Sequence, residues 1–426
     1  MARSALRFIS GNIRVFALTD LLGNFARSMV FPYASLYILA LGGDAARIGF
    51  IAFLGQLAGL FLLPVAGHIT DHADRIRLLV AAGFLSSLFL GLTVFAPNWQ
   101  VVALASLLSG IVVFQFPAYA SLIADSLSPA SRGRGIGLLN TVSSSLAIFA
   151  PYLAGIIIER YSPNLGMRIL YTAMLVTSLA AVIIQRRYLK ETTAVERQPL
   201  QFAALLKALS QAYRGIPALA RQMSPPLRML AVVIVLSFMA HAMTGAFWVV
   251  FATERIGLSA AEWGLILLVE AVVRLVLFLP AGLLVDRWGR TASLAAALVI
   301  STLVTPLFVV LHGFTAILLV RAALSVAFVL AIPACTALMA DLVPSQVRGQ
   351  MMAAIGQGGI MLGAVGSPGG PAVGYLIIPP LMIASLAGGF LYTLNPVYPW
   401  IFSAVAGLLS IALTVLYLRD PRQAEQ

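Results

Sequence analysis

Apolar stretches of about twenty residues recur from one end of this chain to the other, and few folds tolerate that. A bilayer-crossing helix needs roughly 20 mostly apolar residues. Runs of that kind fall at 13–40, 46–69, 78–96, 99–124, 134–159 and 168–187, then at 227–254, 262–285, 292–311, 314–340, 375–395 and 397–418; they are numbered here spans 1 to 12. The 426 residues are 61% hydrophobic and only 10% charged, whereas a soluble domain is about 25% charged. One soluble core could not enclose so much apolar surface, and so few charges could not cover it. The pattern excludes a soluble enzyme and a disordered chain, and it predicts an all-α integral membrane protein with twelve transmembrane helices. The net charge of +12 would ordinarily invite a nucleic-acid partner. The arginines are dispersed between apolar spans, so none is expected. Cys335 is the single cysteine, which excludes an intrachain disulfide.

The basic residues sort by side. Placing the N-terminus, the even-to-odd loops, the central linker and the C-terminus on one side collects twenty of the 27 Lys and Arg there. By the positive-inside rule that side is cytoplasmic, so a multi-pass protein of the plasma or inner membrane with both termini cytoplasmic is expected. The first apolar run is too long for a signal peptide and lacks a clear small-residue cleavage site. The polar stretch between Tyr188 and Pro226 is the longest. Within it, residues 200–213 place Phe202, Leu205, Leu206, Leu209 and Tyr213 at helical spacing, which predicts an amphipathic helix lying on the membrane.

The two halves repeat. Gly67 and Asp71 after span 2 recur as Gly282 and Asp286, 215 residues on; Pro117 and Asp125 recur as Pro333 and Asp341, and Arg132-Gly133 as Arg348-Gly349, both 216 on. Six spans followed by six more, entering from the same side, form a parallel pseudo-repeat. The expected organisation is a six-helix bundle over 1–188, a linker over 189–225 and a second bundle over 226–426. Ala154-Gly155 best matches Gly388-Gly389 at an offset of 234, implying an insertion of roughly 18 residues. The glycine-rich run 356–374 is the candidate, placed at the cytoplasmic end of span 11, with a broken membrane helix as the rival placement.

The loop after span 8 reads Gly282-Leu283-Leu284-Val285-Asp286-Arg287-Trp288-Gly289-Arg290. It resembles the signature of the major facilitator superfamily: glycine, three residues, Asp, a basic residue, one residue, glycine, a basic residue. Gly282 would allow close helix contact and Gly289 a left-handed turn. The first-half copy keeps Gly67, Asp71 and Arg75 but has His72 for the basic residue and Asp74 for the glycine. The Asp–Pro–Arg-Gly loops after spans 4 and 10, with Asp125, Arg132, Asp341 and Arg348, also resemble the family. The resemblance implies a transporter of twelve helices in two bundles, with these loops latching conformational states. It further implies that spans 1, 4, 7 and 10 line a cavity with 2, 5, 8 and 11, while 3, 6, 9 and 12 face lipid. An arginine often found in helix 4 of drug–proton antiporters is absent, since Ala105 stands at the position matching Arg321. The helix-5 glycine–proline pattern is reduced to Ala150-Pro151-Tyr152-Leu153-Ala154-Gly155.

An ionisable group inside a span costs about 2.5–3.5 kcal/mol on insertion scales, so each one needs a reason. The candidates are Asp20 and Arg27 in span 1, His241 in span 7, Glu270 and Arg274 in span 8, and Arg321 in span 10. Asp20 and Arg27 stand two turns apart on one helix face; Glu270 and Arg274 are at i, i+4 with the acid first. Glu270, Asp20 and His241 are the candidate proton-exchanging groups. Arg27, Arg274, Arg321, Gln56, Gln115 and Asn140 are the candidate cavity contacts. The bland alternatives are a self-neutralising pair, a packing histidine, an Arg321 that snorkels from the outer third of span 10, and helix-to-helix hydrogen bonding. Three arginines against two acids favour an anionic or zwitterionic solute. His68, Asp71, His72 and Asp74 invite a metal reading, but the matching loop has no histidine and no metal is expected. The glycine run lacks the lysine and Ser/Thr of a nucleotide loop, so no ATP site or other cofactor is expected. The expected activity is secondary transport of a small organic solute, coupled to protons, by a monomer; uptake and efflux both stay open. A gradient-independent facilitator and a transport-incompetent sensor on the same fold are the alternatives.

Overall fold

The computed structural model describes residues 10–192, 202–362 and 374–420, and every regular element among them is helical. Nine helices there are long and apolar enough to cross a membrane. The other three crossings fall short for local reasons. Span 1 carries Arg14, Asp20 and Arg27 in Gly11–Val30, then turns at Phe31–Tyr33 and continues as Ala34–Ala40. The rest of span 5 and span 6 run through Ala150–Tyr188 as two helices that meet where Ser162 takes φ 70° before Pro163. Span 11 ends in the 17-residue helix Ile378–Leu394.

One expectation needs correction. Span 5 is not one helix: Arg132–Ser144 stops, turns fill 145–149, and Ala150 begins the next piece. In span 11 the two flanks of the glycine-rich run meet part-way along the span, which fits the rival placement, a broken membrane helix. Helix Arg348–Ile355 occupies the place of Arg132–Ser144 and ends at Gly356, whose φ of 94° stops the helix. The chain comes back at Gly374, and the N–H groups of Tyr375 and Leu376 donate to the carbonyls of Ala353 and Ala354 at 3.2 and 3.0 Å. A Cβ on Gly374 would stand 2.2 Å from the Ala354 carbonyl oxygen, so only glycine fits the point of return. Residues 363–373 of the run lie outside the described residues.

The linker holds the helices Phe202–Arg214 and Ile216–Gln222. Rather than resting only on the bilayer, the first docks on protein. Pro64 has no N–H, which leaves the Leu60 carbonyl of span 2 (Ala45–His72) without its helical donor. The Tyr213 hydroxyl donates to that oxygen at 2.5 Å, and its ring meets Tyr375 edge-on at 5.8 Å. Burial pushes the Tyr213 phenol above its ordinary pKa, so it remains a donor at neutral pH.

The halves meet at the end of the spans remote from the termini, along two seams of small residues. Between spans 5 and 8 (Ala260–Trp288), a Cβ on Gly155 would lie 2.3 Å from the Ala260 carbonyl oxygen. One on Gly264 would lie 2.5 Å from that of Pro151. Between spans 2 and 11, a Cβ on Gly49 would lie 2.5 Å from the Ser385 carbonyl oxygen and 2.9 Å from the Gly389 Cα. Gly49 and Gly264 are 215 apart, and Gly155 and Gly389 are 234 apart, so both seams are one contact used twice by the repeat. Tyr33 locks the first seam, its hydroxyl 2.8 Å from the Pro151 carbonyl and 3.1 Å from that of Ala260. At the termini end the room at Gly67 and Gly282 is unused: nothing described stands within 4 Å of either Cβ position. The close helix contact expected at Gly282 is therefore absent in this conformation, because the bundles approach at the other end.

Gly155→Val should hold the seam apart, since backbone cannot retreat from a side chain as a side-chain tip can. With Ala154→Cys as reporter, a position that is fully buried here, modification by an impermeant maleimide is expected to accelerate at least about tenfold, the buried Cys335 giving little background.

Candidate functional site

The C-terminal bundle closes three charges on one another. Glu270, midway along span 8, is 1% exposed, and Arg321 of span 10 (Phe314–Leu342) is fully buried. Arg321 Nη2 donates to Glu270 Oε2. Arg274, one turn on from Glu270, brings Nη2 to 2.9 Å from Oε1 as an ion pair. The expected i, i+4 pair is therefore present, and it has a second cation. Arg321 does not snorkel. Its guanidinium lies over the rings of Trp248 and Trp263, 4.9 and 5.4 Å from their centres. Among the described residues its Nε and Nη1 have no hydrogen-bond acceptor, and the negative faces of the two indoles take that place. Trp263 precedes Glu270 by seven residues on the same face of span 8. Neither tryptophan was singled out in the sequence, where an aromatic inside an apolar run looks like lipid contact or core.

The N-terminal bundle arranges its charges differently. Asp20 accepts a hydrogen bond from Tyr119 of span 4 (Trp99–Asp125), and Phe16 meets the Tyr119 ring edge-on at 5.1 Å. Arg27 takes another partner, Nη2 donating to Asn24 Oδ1 at 2.6 Å. Asn24 Nδ2 in turn donates to the Ser143 carbonyl, 3.2 Å away, at the end of the first helix of span 5. The shared helix face of Asp20 and Arg27 thus does not make them a hydrogen-bonded couple; a neutral phenol and a neutral amide answer them. Tyr119 was missed because its partner lies 99 residues away; Asn24 stands only three residues from Arg27, but the carbonyl that anchors it lies 119 residues on.

The other candidates are dispersed. Gln56 Nε2 donates to Ser385 Oγ at 3.2 Å, joining the halves beside the second seam. Gln115 is half-buried at the start of helix Gln115–Asp125, and Asn140 is exposed on span 5. His241 stands in the wall of a cavity of about 30 Å³ that also takes in Ser237, Thr244, Trp248, Thr302 and Ser410. That is room for one or two waters. His72 brings Nδ1 within 2.8 Å of the His68 carbonyl, which uses the ring for helix structure.

The repeat loops at the termini end are built alike. Arg75 Nη1 is 2.6 Å from Asp125 Oδ2, and Arg290 pairs with Asp341. Arg132 Nε donates to the Ala124 carbonyl at 3.0 Å, and Arg348 Nη2 to that of Ala340 at 3.5 Å. Asp71, Asp286 and Arg287 are exposed. The exchange of glycine for Asp74 now has a physical account. Asp74 caps the start of span 3 (Arg75–Val94), accepting from the Arg77 N–H at 2.9 Å. In the second half Gly289 sits at φ 90°, and the cap comes from the tail, Asp420 accepting from the Thr291 N–H at 2.7 Å. A Cβ on Gly289 would stand 2.1 Å from that carboxylate, so each half uses one carboxylate and the two sources exclude each other.

Two repeated six-helix bundles that meet at glycine seams, with ionisable groups inside their spans, suit a carrier. The family model of the Major Facilitator Superfamily matches the chain twice, over residues 16–234 and 230–426. Multidrug resistance protein 1 of Bacillus subtilis is 23% identical over 400 residues, 91% of this chain and 92% of its own. An uncharacterized MFS-type transporter of Methanocaldococcus jannaschii is 21% identical over 420 residues, 97% of this chain and 96% of its own. The solved structure of a bacterial homologue of the iron transporter ferroportin, in an inward-facing state, superposes with a TM-score of 0.73 at 16% identity, covering 97% and 98% of the two chains. With the repeat, the twelve spans and the loops in hand, the chain belongs to the major facilitator superfamily and is a multi-pass membrane transporter of small molecules, not an enzyme.

Proposed function

We propose that this chain is a proton-coupled secondary transporter that moves a small organic solute by alternating access, with Glu270 as the proton-exchanging group. The observation that carries the reading is Glu270 itself, 1% exposed and held by Arg274 and Arg321 from two helices. A buried carboxylate held by two cations is stable while ionised; a proton on it frees both arginines and loosens the tie between spans 8 and 10. The proton thereby changes the packing of the bundle as well as its charge. Asp20 with Tyr119 is the second candidate, and His241 in its hydroxyl-lined cavity the third. The bundles 1–188 and 226–426 rock about the cleft, linked by 189–225, as a monomer in the plasma membrane. With both termini cytoplasmic, the seams at Gly49, Gly155, Gly264 and Gly389 shut the outer side, and the described conformation is the inward-facing one. The name of the Bacillus relative, a multidrug resistance protein, supports export of drug-like solutes over uptake.

In proteoliposomes, Glu270→Gln is expected to abolish solute accumulation driven by a pH gradient while sparing counterflow exchange; Asp20→Asn serves as the parallel variant. Accumulation that survives in both removes the proton reading, and a wild type that equilibrates solute without responding to the gradient is a facilitator.

The loops Gly67 to Arg75 and Gly282 to Arg290, tied to Asp125 and Asp341, act as hinges for closure of the inner side. Arg75→Gln breaks a partly exposed pair and should cost less than about 1 kcal/mol of stability. Its transport rate is expected to fall at least about tenfold, and equal small losses in melting temperature and rate would reduce the loop to a structural tie.

A further inference from the structure

We infer that the guanidinium of Arg27 docks the carboxylate of an organic acid, so that carboxylate-bearing molecules are the substrate class of the cleft; the inference deepens the transporter reading above. It begins from which membrane charges remain available. Glu270, Arg274 and Arg321 are closed on one another, and Arg321 is sealed by two indoles. Asp20 is engaged by Tyr119. Arg27 alone of these five is exposed, and its guanidinium donates to a neutral amide, Asn24. An arginine partway along span 1 cannot face acyl chains at the cost such a group carries there, so its exposed surface belongs to the cleft.

The group is also held in place. Gly23 leaves room for it to lie along its own helix: a Cβ there would stand 3.2 Å from Arg27 Nη1. Asn24 fixes one edge of the guanidinium and is itself anchored to the Ser143 carbonyl. That carbonyl lies at the end of helix Arg132–Ser144, where the last carbonyls lack helical donors. The break in span 5 thus supplies the acceptor that orients Asn24, and Asn24 orients Arg27. On the same stretch of span 5, Asn140 and Ser144 are exposed one turn apart, adding neutral hydrogen-bonding groups and no competing charge. A guanidinium with one edge fixed and its remaining N–H groups free accepts a planar carboxylate through paired hydrogen bonds. An ammonium or quaternary cation would meet like charge.

The test is binding by the full-length protein in nanodiscs, read from quenching of its five tryptophans. The probes are 1-naphthoate, its methyl ester and tetraphenylphosphonium. Naphthoate is expected to bind at least about tenfold more tightly than the ester, the scale of a hydrogen bond to a charged group. Arg27→Gln should erase that difference without altering ester binding, and Arg27→Lys should restore part of it. Should Arg27→Gln fail to fold, Asn24→Ala decides, with an expected several-fold loss for the acid and none for the ester. Acid and ester binding alike, or tetraphenylphosphonium outcompeting naphthoate in the wild type, overturns the inference, as does an unchanged Arg27→Gln. The same titration on Glu270→Gln separates the two proposals: acid binding kept there with coupling intact in the flux assay sinks the proton reading alone.

Discussion

A carboxylate within a bilayer must be answered by a cation in reach, and around Glu270 that requirement organises half of the molecule. Arg274 answers it from the same helix and Arg321 from the next bundle wall. Two positive charges on one negative leave Arg321 short of acceptors, and Trp248 and Trp263 supply ring faces instead. Those tryptophans lead on into the cluster of Phe308, Phe251 and Trp400. One carboxylate therefore ties spans 7, 8 and 10 together, and the packing around it runs on into the aromatic cluster. The N-terminal bundle has no such knot. Its acid rests on a neutral phenol from another helix and its base on a neutral amide of its own helix, which leaves the base exposed.

The division of labour has a counterpart in the backbone. The backbones of the bundles approach most closely at the seams where glycine stands opposite carbonyl oxygen, and the repeat uses the same pair of positions in both. Glycine removes the side chain that would separate two helices in lipid, where packing rather than water drives association. In the proposed alternating-access cycle, rocking about this end opens and closes two equivalent contacts. The loops at the other end are clamped within each half by Arg75–Asp125 and Arg290–Asp341.

Much of this was legible along the chain. Span length and arginine placement gave the twelve crossings, and the offsets of Gly67, Pro117 and Arg132 gave the repeat. The seam pair Gly155 and Gly389 could be matched through the 234-residue offset, and Glu270–Arg274 through helical spacing. What was hidden depends on contacts across the fold. Arg321 joins Glu270 over 51 residues, and nothing in span 10 marks it as buried rather than snorkelling. The break after Ser144 comes in a run of serines that breaks no apolar periodicity. The departure at Asp74 looked like decay of a motif, because the cap it replaces is supplied by the distant Asp420. Composition of a span says that a residue is in the membrane, and only the neighbouring helices say what it faces.

The proline kink in span 2 has a bearing on how the protein is made. Leu60 leaves the ribosome 153 residues before Tyr213, whose hydroxyl completes its hydrogen-bond ladder. Until Tyr213 is made, that carbonyl lacks the donor that the finished fold gives it. The first six helices are thus unfinished until the linker arrives, and the linker belongs to the N-terminal bundle's own hydrogen bonding as much as to the tether between halves. Any division of this chain into separately made halves would have to cut after Arg214, not before it.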